Sequence, residues 1–230
     1  MATEALMQGN TIFCDFDGPI ADVSERYYAT YRLALAKTQV EQAVSSVRQL
    51  TKAQFWHMKQ NRVPDTTIAA CSGLSDRETQ DFLKRVEEIV NQPTLLHQDQ
   101  LQPGAKAALT ALQSEGTRVV IVTLRQASQV LDFLHNHGLA TAVSQIYGAQ
   151  DTTSAYPNRV AHKVARLEEA IADQHRLGMS TTMSWMIGDT EADIRAGQAA
   201  GLPTLALTCG IRSAAYLKGF HPTQRSGRNE

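Results

Sequence analysis

Two acidic segments follow apolar runs of the chain, and the first holds the residues best suited to chemistry. Asp15 lies near the end of the run at residues 12–16, and Asp17, Gly18 and Pro19 follow it. Residues two apart in a strand point to the same side, so we expect both carboxylates at the carboxyl end of a strand, where open α/β sheets bind ligands. Two carboxylates this close repel each other unless a cation or a proton separates them. Mg²⁺ suits such oxygen ligands, although a polar strand end with an Asp turn would look similar.

The second acidic segment is GDTEAD, at residues 188–193, directly after an apolar run at residues 184–187. Thr190 and Asp193 have the spacing of a capping box, so a helix start alone would account for Asp193. A helix cap does not account for Asp189, which belongs to the strand end. We therefore expect Asp189 to lie beside Asp15 and to complete a carboxylate site for a divalent ion.

Thr123 and Lys163 are weaker candidates. Thr123 ends the apolar run at residues 119–123, and a hydroxyl with free backbone N–H groups at a strand-to-helix junction holds phosphate oxygens. An ordinary helix cap is the alternative for this residue. Lys163 lies near the start of a predicted helix, where acidic residues are favoured. It would neutralise a carboxylate or a phosphate there, and a solvated lysine is the alternative.

The elements that position these residues alternate between strand and helix. Strands are predicted at residues 12–16, 119–123, 184–187 and 204–207, with a weaker one at 144–147. Helices are predicted at residues 104–116, 126–137, 159–177 and 193–200. This alternation predicts an α/β fold with a Rossmann-like parallel sheet that is covered on both faces. In the helix at 126–137, Val130, Leu131 and Leu134 are expected to share the apolar face.

Residues 23–100 break this rhythm, because they contain helical patterns and no convincing strand. Two capping boxes, Thr51 with Gln54 and Ser75 with Glu78, mark helix starts. We expect four or five helices inserted after the first strand. The predicted division is a core domain at residues 1–20 and 101–230, and an all-helical cap domain at 21–100.

Composition excludes several classes of protein. The chain has 230 residues and a formal net charge of -1, which argues against bulk binding to nucleic acid or an anionic membrane. Its three cysteines form no C-x-x-C pair, so a disulfide framework or a zinc knuckle is not supported. Residues 1–10 lack the apolar core of a signal peptide. We expect a cytoplasmic protein with a polar, frayed tail at residues 221–230, acting as a monomer or homodimer.

Taken together and in this order, the acidic segments, Thr123 and Lys163 resemble the haloacid dehalogenase superfamily. The helical insertion is similar to that of the phosphoglycolate phosphatase-like members, in which a mobile cap closes over the site. The first motif of the family usually continues DGT, whereas this chain has Gly18-Pro19. The resemblance implies a magnesium-dependent phosphatase that acts on a small phosphorylated metabolite.

The resemblance also implies a role for each residue of the site. Asp15 is the nucleophile that forms an aspartyl-phosphate, and Asp17 is the general acid and base. The implied metal-site residues are Asp15, the Asp17 backbone carbonyl, Asp189 and, in support, Asp193. The implied substrate-binding residues are Thr123, Leu124, Arg125 and Lys163. Arg125 would add positive charge near the phosphate or would face solvent.

Other functions remain open at this point. A phosphomutase would keep every motif, and a catalytically silent phosphate-binding protein would often lack one of the acids. A dehalogenase needs neither Asp17 nor the magnesium cluster, so Asp17 and Asp189 argue against it.

In the predicted cap, Lys52 and Lys59 share a helix face, close to Arg62. They could meet a second anionic group of the substrate. Phe55 and Trp56, between them, are expected in the core of the cap.

Overall fold

The computed structural model describes residues 10–42, 44, 46–149 and 159–226. Its strands are β1 (Thr11–Cys14), β2 (Ala21–Asp22), β3 (Gln100–Leu101), β4 (Arg118–Gln126), β5 (Gln145–Ala149), β6 (Trp185–Gly188), β7 (Thr204–Ala206) and β8 (Gln224–Arg225). Six of them form one sheet in the order β5-β4-β1-β6-β7-β8, and every neighbouring pair in it is parallel. The predicted parallel α/β fold is therefore confirmed.

The helices of the described residues cover the sheet and fill the insertion. They are α1 (Ser24–Glu41), α2 (Lys52–Gln60), α3 (Asp65–Cys71), α4 (Asp76–Ile89), α5 (Pro93–Leu96), α6 (Ala105–Ser114), α7 (Ala127–Asn136), α8 (Val160–Arg176), α9 (Glu191–Ala199) and α10 (Ala214–Lys218). No helix among the described residues is both long and apolar enough to cross a bilayer.

Side chains of β1 alternate between the two helical layers. Ile12 and Cys14 pack with apolar residues of α6 and α7, whereas Phe13 packs with residues of α8 and α9, such as Leu167. Successive residues of a strand point to opposite faces, so Asp15 continues the direction of Phe13 towards α8. The sheet thus directs the first acid towards the helix that carries Lys163.

The predicted strands of the sheet are present, with shifted ends. β1 ends at Cys14 rather than at Phe16, although the backbone N–H of Asp15 still donates to the Ile187 carbonyl at 2.8 Å. β4 extends beyond Thr123 to Gln126, and its pairing with β5 is irregular between Val122 and Gln126. Thr123 therefore lies where the regular ladder stops.

The prediction of a frayed tail is wrong for residues 221–226. Gln224–Arg225 pairs in parallel with β7. Thr223 and Thr204 also exchange hydrogen bonds, with the N–H of each donating to the hydroxyl of the other at 3.1 and 3.0 Å. Polar side chains that bond the neighbouring backbone hold this segment, and such bonds leave no hydrophobic pattern in the sequence.

Helices α1 to α5 pack around an apolar cluster of their own. Its buried residues include Tyr31, Phe55, Ile68, Phe82 and Val86. Both predicted capping boxes are present, at the starts of α2 and α4, and Phe55 lies in this core as predicted. These helices match the four or five expected in the insertion.

The chain enters and leaves this helical region side by side. β2 and β3 pair antiparallel, with Ala21 opposite Leu101. A separate core and a paired entrance support our proposal of a core domain at 1–20 and 101–230 and a cap domain at 21–100. Residues 1–9, 150–158 and 227–230 of the proposed core lie outside the described residues.

The prediction for the apolar face of α7 is wrong at one position. Val130 and Leu134 are fully buried, but 43% of Leu131 is exposed, and Phe133 is buried instead. Residues three and four apart share a helix face, so Val130 selects Phe133 and Leu134. Leu131, one position further along, turns towards solvent.

This difference gives a matched pair of variants on one helix. We expect Leu134→Ala to lower the free energy of unfolding by about 2–5 kcal/mol, because it removes buried methyl groups and leaves a cavity. Leu131→Ala should change it by less than about 0.5 kcal/mol. Urea denaturation measures both, and equal losses would contradict the assigned packing.

Candidate active site

Asp15 lies at the carboxyl end of β1 and is held by two donors. The backbone N–H of Phe16 donates to its Oδ1 at 2.6 Å, and Lys163 Nζ lies 2.8 Å from its Oδ2. Only 6% of Asp15 is exposed, and the residue lines a cavity between the sheet and the helical insertion. The carboxylate is therefore held in orientation and is accessible from that cavity.

Asp189 and Asp193 complete an acidic cluster with Asp15. Asp189 follows β6, is fully buried, and accepts the N–H of Ile211 on its Oδ2 at 2.5 Å. Asp193 Oδ2 accepts the N–H and the hydroxyl of Thr190, at 3.0 and 2.7 Å. These bonds confirm the capping box. Asp193 Oδ1 lies 2.9 Å from Lys163 Nζ, so this residue takes part in both the cap and the cluster.

The acidic cluster fits a divalent metal ion. One carboxylate oxygen from each of Asp15, Asp189 and Asp193 lies within 4.8 Å of the others. Asp189 Oδ1 is buried and has no hydrogen-bond partner among the described residues. A buried unpaired oxygen is costly, and an all-oxygen set suits a hard cation such as Mg²⁺. These residues therefore have the chemistry of a metal site.

Three glycines allow the carboxylates to pack closely. A Cβ on Gly18 or on Gly210 would overlap the carboxylate of Asp189, and a Cβ on Gly188 would overlap that of Asp193. Gly18 also has a φ of +98°, a conformation that other residues resist. The turn predicted at Gly18 is present, and it makes room for Asp189.

The charges of the cluster shift its titration. Burial, and then the charge of Asp193, raise the pKa of Asp15 to about 7, although Lys163 opposes this. Burial, Asp193 and Asp15 raise the pKa of Asp189 well above its ordinary value. Burial disfavours the ammonium of Lys163, but Asp15 and Asp193 together raise its pKa. The cluster is thus short of positive charge, as expected where a cation belongs.

Asp17 has different partners from Asp15. Its Oδ2 accepts Arg26 Nη2 at 2.7 Å and its Oδ1 accepts Arg125 Nη1 at 3.0 Å. Burial would raise the pKa of Asp17, but the two guanidinium groups hold it below its ordinary value. Both acids line the same cavity, as the spacing predicted. The side chain of Asp17 is neutralised by arginine rather than shared with the acidic cluster.

The predicted phosphate-binding residues all reach the cavity. Thr123, Leu124, Arg125 and Lys163 are among its lining residues. Thr123 Oγ1 accepts the N–H of Arg125 at 3.2 Å. Arg125 is 3% exposed, so the alternative that it faces solvent is wrong. Its guanidinium bonds Asp17 and, at 2.7 Å, Asp99.

Of the three basic residues singled out in and after α2, two line the cavity. Lys59 and Arg62 do. Lys52 is not among its lining residues and pairs with Glu25 at 2.5 Å. Lys52 therefore does not reach the cavity with Lys59, because the seven-residue spacing places them on one face but two helical turns apart.

Several residues of the site gave no local signal in the sequence. Glu191 accepts both Arg62 Nε and Arg212 Nε, each at 2.9 Å, and so joins the insertion to the sheet domain. Arg26 and Asp99 bond across 73 positions. Acids and arginines of this kind are common on any surface, and only the fold brings them together.

Comparisons with known proteins agree with this fold. The sequence pattern of the family described as haloacid dehalogenase-like hydrolase matches residues 12–207. A haloacid dehalogenase-like family protein from Streptococcus pneumoniae has a similar structure. Its TM-score is 0.66 at 22% identity, over 95% of this chain and 94% of that chain. At this identity the likeness establishes the shared fold alone.

Curated relatives match about half of this chain. A phosphoglycolate phosphatase of Aliivibrio fischeri is 31% identical over 122 residues, which are 53% of this chain and 50% of that protein. A pyrophosphatase of Oceanobacillus iheyensis is 28% identical over 120 residues, or 52% of each. The chain therefore spans about half the length of the curated relatives it matches.

Repulsion within the acidic cluster should lower the stability of the metal-free protein. Asp189→Asn removes one of the crowded charges, so we expect a higher melting temperature without metal. In the wild type, Mg²⁺ should raise the melting temperature by several degrees. A ligand at a hundred times its Kd adds about 2.7 kcal/mol, and each kcal/mol is worth about 2–4 °C at this size.

Asp189→Asn should lose that magnesium-dependent rise. Thermal denaturation with and without Mg²⁺ measures it, and Asp132→Asn, on the exposed side of α7, is the control. Equal magnesium shifts in the wild type and in Asp189→Asn would contradict the assigned site.

Proposed function

This chain belongs to the haloacid dehalogenase-like hydrolases, and we propose that it is a magnesium-dependent phosphatase that hydrolyses a small phosphate monoester. The observation that carries the proposal is the position of Asp15. Its carboxylate faces the cavity, is oriented by Lys163 at 2.8 Å, and lies within 4.8 Å of Asp189 and Asp193. The proposed nucleophile and the proposed metal site therefore adjoin one small cavity.

In the proposed first step, one carboxylate oxygen of Asp15 attacks phosphorus. The bond between phosphorus and the ester oxygen breaks, and the departing alcohol takes a proton from the protonated form of Asp17. That form is a strong acid, because burial is outweighed by Arg26 and Arg125, which hold the pKa of Asp17 below the ordinary value. In the second step, water attacks the aspartyl-phosphate while Asp17 takes a proton from the water. The bond between phosphorus and Asp15 breaks, and inorganic phosphate leaves. Covalent catalysis of this kind divides one difficult displacement into two easier ones.

The other residues position the phosphoryl group and offset its charge. The Thr123 hydroxyl and the Lys163 ammonium lie on the cavity wall, where they would bind phosphoryl oxygens. Mg²⁺, held by Asp15, Asp189, the Asp17 carbonyl and, in support, Asp193, would neutralise charge that develops on the transferred group. Phosphoryl transfer depends mainly on such positioning and neutralisation.

The cavity favours a small substrate. Its volume is about 70 Å³, which is room for a few water molecules. The relatives named above are called phosphoglycolate phosphatase and pyrophosphatase, and both names refer to small phosphorylated compounds. We therefore infer that the substrate is a small phosphorylated metabolite, which is hydrolysed to free phosphate and an alcohol.

The first test is phosphate release. With Mg²⁺, purified protein should release phosphate from at least one member of a panel of phosphoglycolate, sugar phosphates, nucleotides and pyrophosphate. Asp15→Asn should abolish that activity while the protein stays folded, because the amide is not a nucleophile here. Unchanged turnover by Asp15→Asn would sink the proposal.

Lys59 is proposed to bind a second anionic group of the substrate, because it lines the cavity beside its ion-pair partner Asp65, 2.8 Å away, while Lys52 does not line it. Lys59→Met should raise KM about tenfold or more for such a substrate, since a charged hydrogen bond is worth about 1.5–3 kcal/mol. Lys52→Met is the matched control and should leave KM unchanged. Equal effects of the two substitutions on KM would count against this role.

A further inference from the structure

Asp17 belongs to a closed ring of four ion pairs. Its members alternate in charge: Asp17, Arg26, Asp99 and Arg125. Arg26 Nη2 lies 2.7 Å from Asp17 and Arg26 Nε lies 2.8 Å from Asp99. Arg125 Nη1 lies 3.0 Å from Asp17 and 2.7 Å from Asp99. Every member therefore contacts two partners of opposite charge.

Asp99 is the acid of the ring that lies outside the sequence motifs. Its side chain is fully buried, whereas 18% of the Asp17 side chain is exposed to the cavity. It follows α5, next to the β2–β3 pair where the chain returns to the sheet. Without Asp99, two buried guanidinium groups would share one carboxylate, and uncompensated buried charge is strongly unfavourable. Asp99 is placed to balance both arginines at once.

The ring fixes Asp17 without blocking it. Each of its oxygens accepts one guanidinium N–H, and an ionised carboxylate has about four acceptor positions. Each oxygen thus has one acceptor position beyond these two bonds, and Asp17 lines the cavity. The third nitrogen of the Arg26 guanidinium, Nη1, donates to Asn91 Oδ1 at 2.9 Å. This arginine therefore has little freedom to turn away.

We propose that Asp99 is a positioning residue for the general acid. It holds Arg26 and Arg125 against Asp17, and through them it aims the carboxyl group at the oxygen of the leaving alcohol. This inference rests on the proposed function. It assigns no direct contact with the substrate to Asp99, and the proton still moves between Asp17 and the leaving group.

Leaving groups of different acidity separate this role from a purely structural one. An alkyl alcohol departs only with a proton, whereas p-nitrophenolate is a stable anion that departs without one. Single-turnover release of the leaving group, with enzyme in excess and saturating substrate, isolates the step in which Asp17 acts as an acid. The two substrates are p-nitrophenyl phosphate and the alkyl ester of the panel that the wild type hydrolyses fastest.

Asp99→Asn should slow alkyl release by about tenfold or more, as a partial loss of a general acid worth about 10²–10⁴-fold. It should leave p-nitrophenolate release within about twofold of the wild type. Arg26→Lys keeps the charge but cannot bond both carboxylates in a fixed fork, so it should show the same selectivity. It serves as the second variant if Asp99→Asn does not fold.

Arg62→Gln is the matched control for a loosened insertion. Arg62 joins the insertion to Glu191 at 2.9 Å and is not a member of the ring, so its loss should slow both substrates alike. If Asp99→Asn and Arg26→Lys also slow both equally, or slow neither, the positioning role is wrong. An inactive wild type would instead refute the proposed function, and this inference with it.

Discussion

Buried negative charge that nearby cations do not balance is the constraint on which this site depends. Asp15, Asp189 and Asp193 bring three carboxylates within 4.8 Å of one another, and Lys163 is the ammonium that contacts two of them. One divalent cation would offset the remaining charge. The neighbouring ring around Asp17 contains equal numbers of acids and arginines, so it is balanced without a metal. The acidic cluster therefore needs a cation to balance its charge, whereas the ring does not.

The fold produces this arrangement through parallel strands. β1, β4 and β6 are neighbours in the sheet, so their carboxyl ends bring Asp15, Thr123 and Asp189 to one edge. Ligands of open α/β sheets bind at such edges. α8 packs on the face towards which Phe13 points and supplies Lys163. The helical insertion covers this edge, and it contributes Lys59 and Arg62 to the cavity wall.

Prediction from the sequence was correct where the signal is local. The apolar runs, the capping boxes and the acids after strand ends each depend on a few adjacent residues, and they predicted the parallel sheet and the meeting of Asp15 with Asp189. It failed where partners are distant. Arg26, Asp99 and Glu191 find their partners only across the fold. β8 is held by polar bonds between Thr223 and Thr204. The prediction that Leu131 is buried was wrong because the apolar stripe of α7 is narrower than its leucines suggest.

The acidic cluster is expected to bind one divalent ion beside Asp15, the proposed nucleophile. Crystals grown with Mn²⁺ in place of Mg²⁺ test this, because the anomalous signal of Mn²⁺ distinguishes the metal from water. We expect one strong peak in contact with carboxylate oxygens of both Asp15 and Asp189. A peak only elsewhere, or no peak at saturating Mn²⁺ with these carboxylates still clustered, would contradict it.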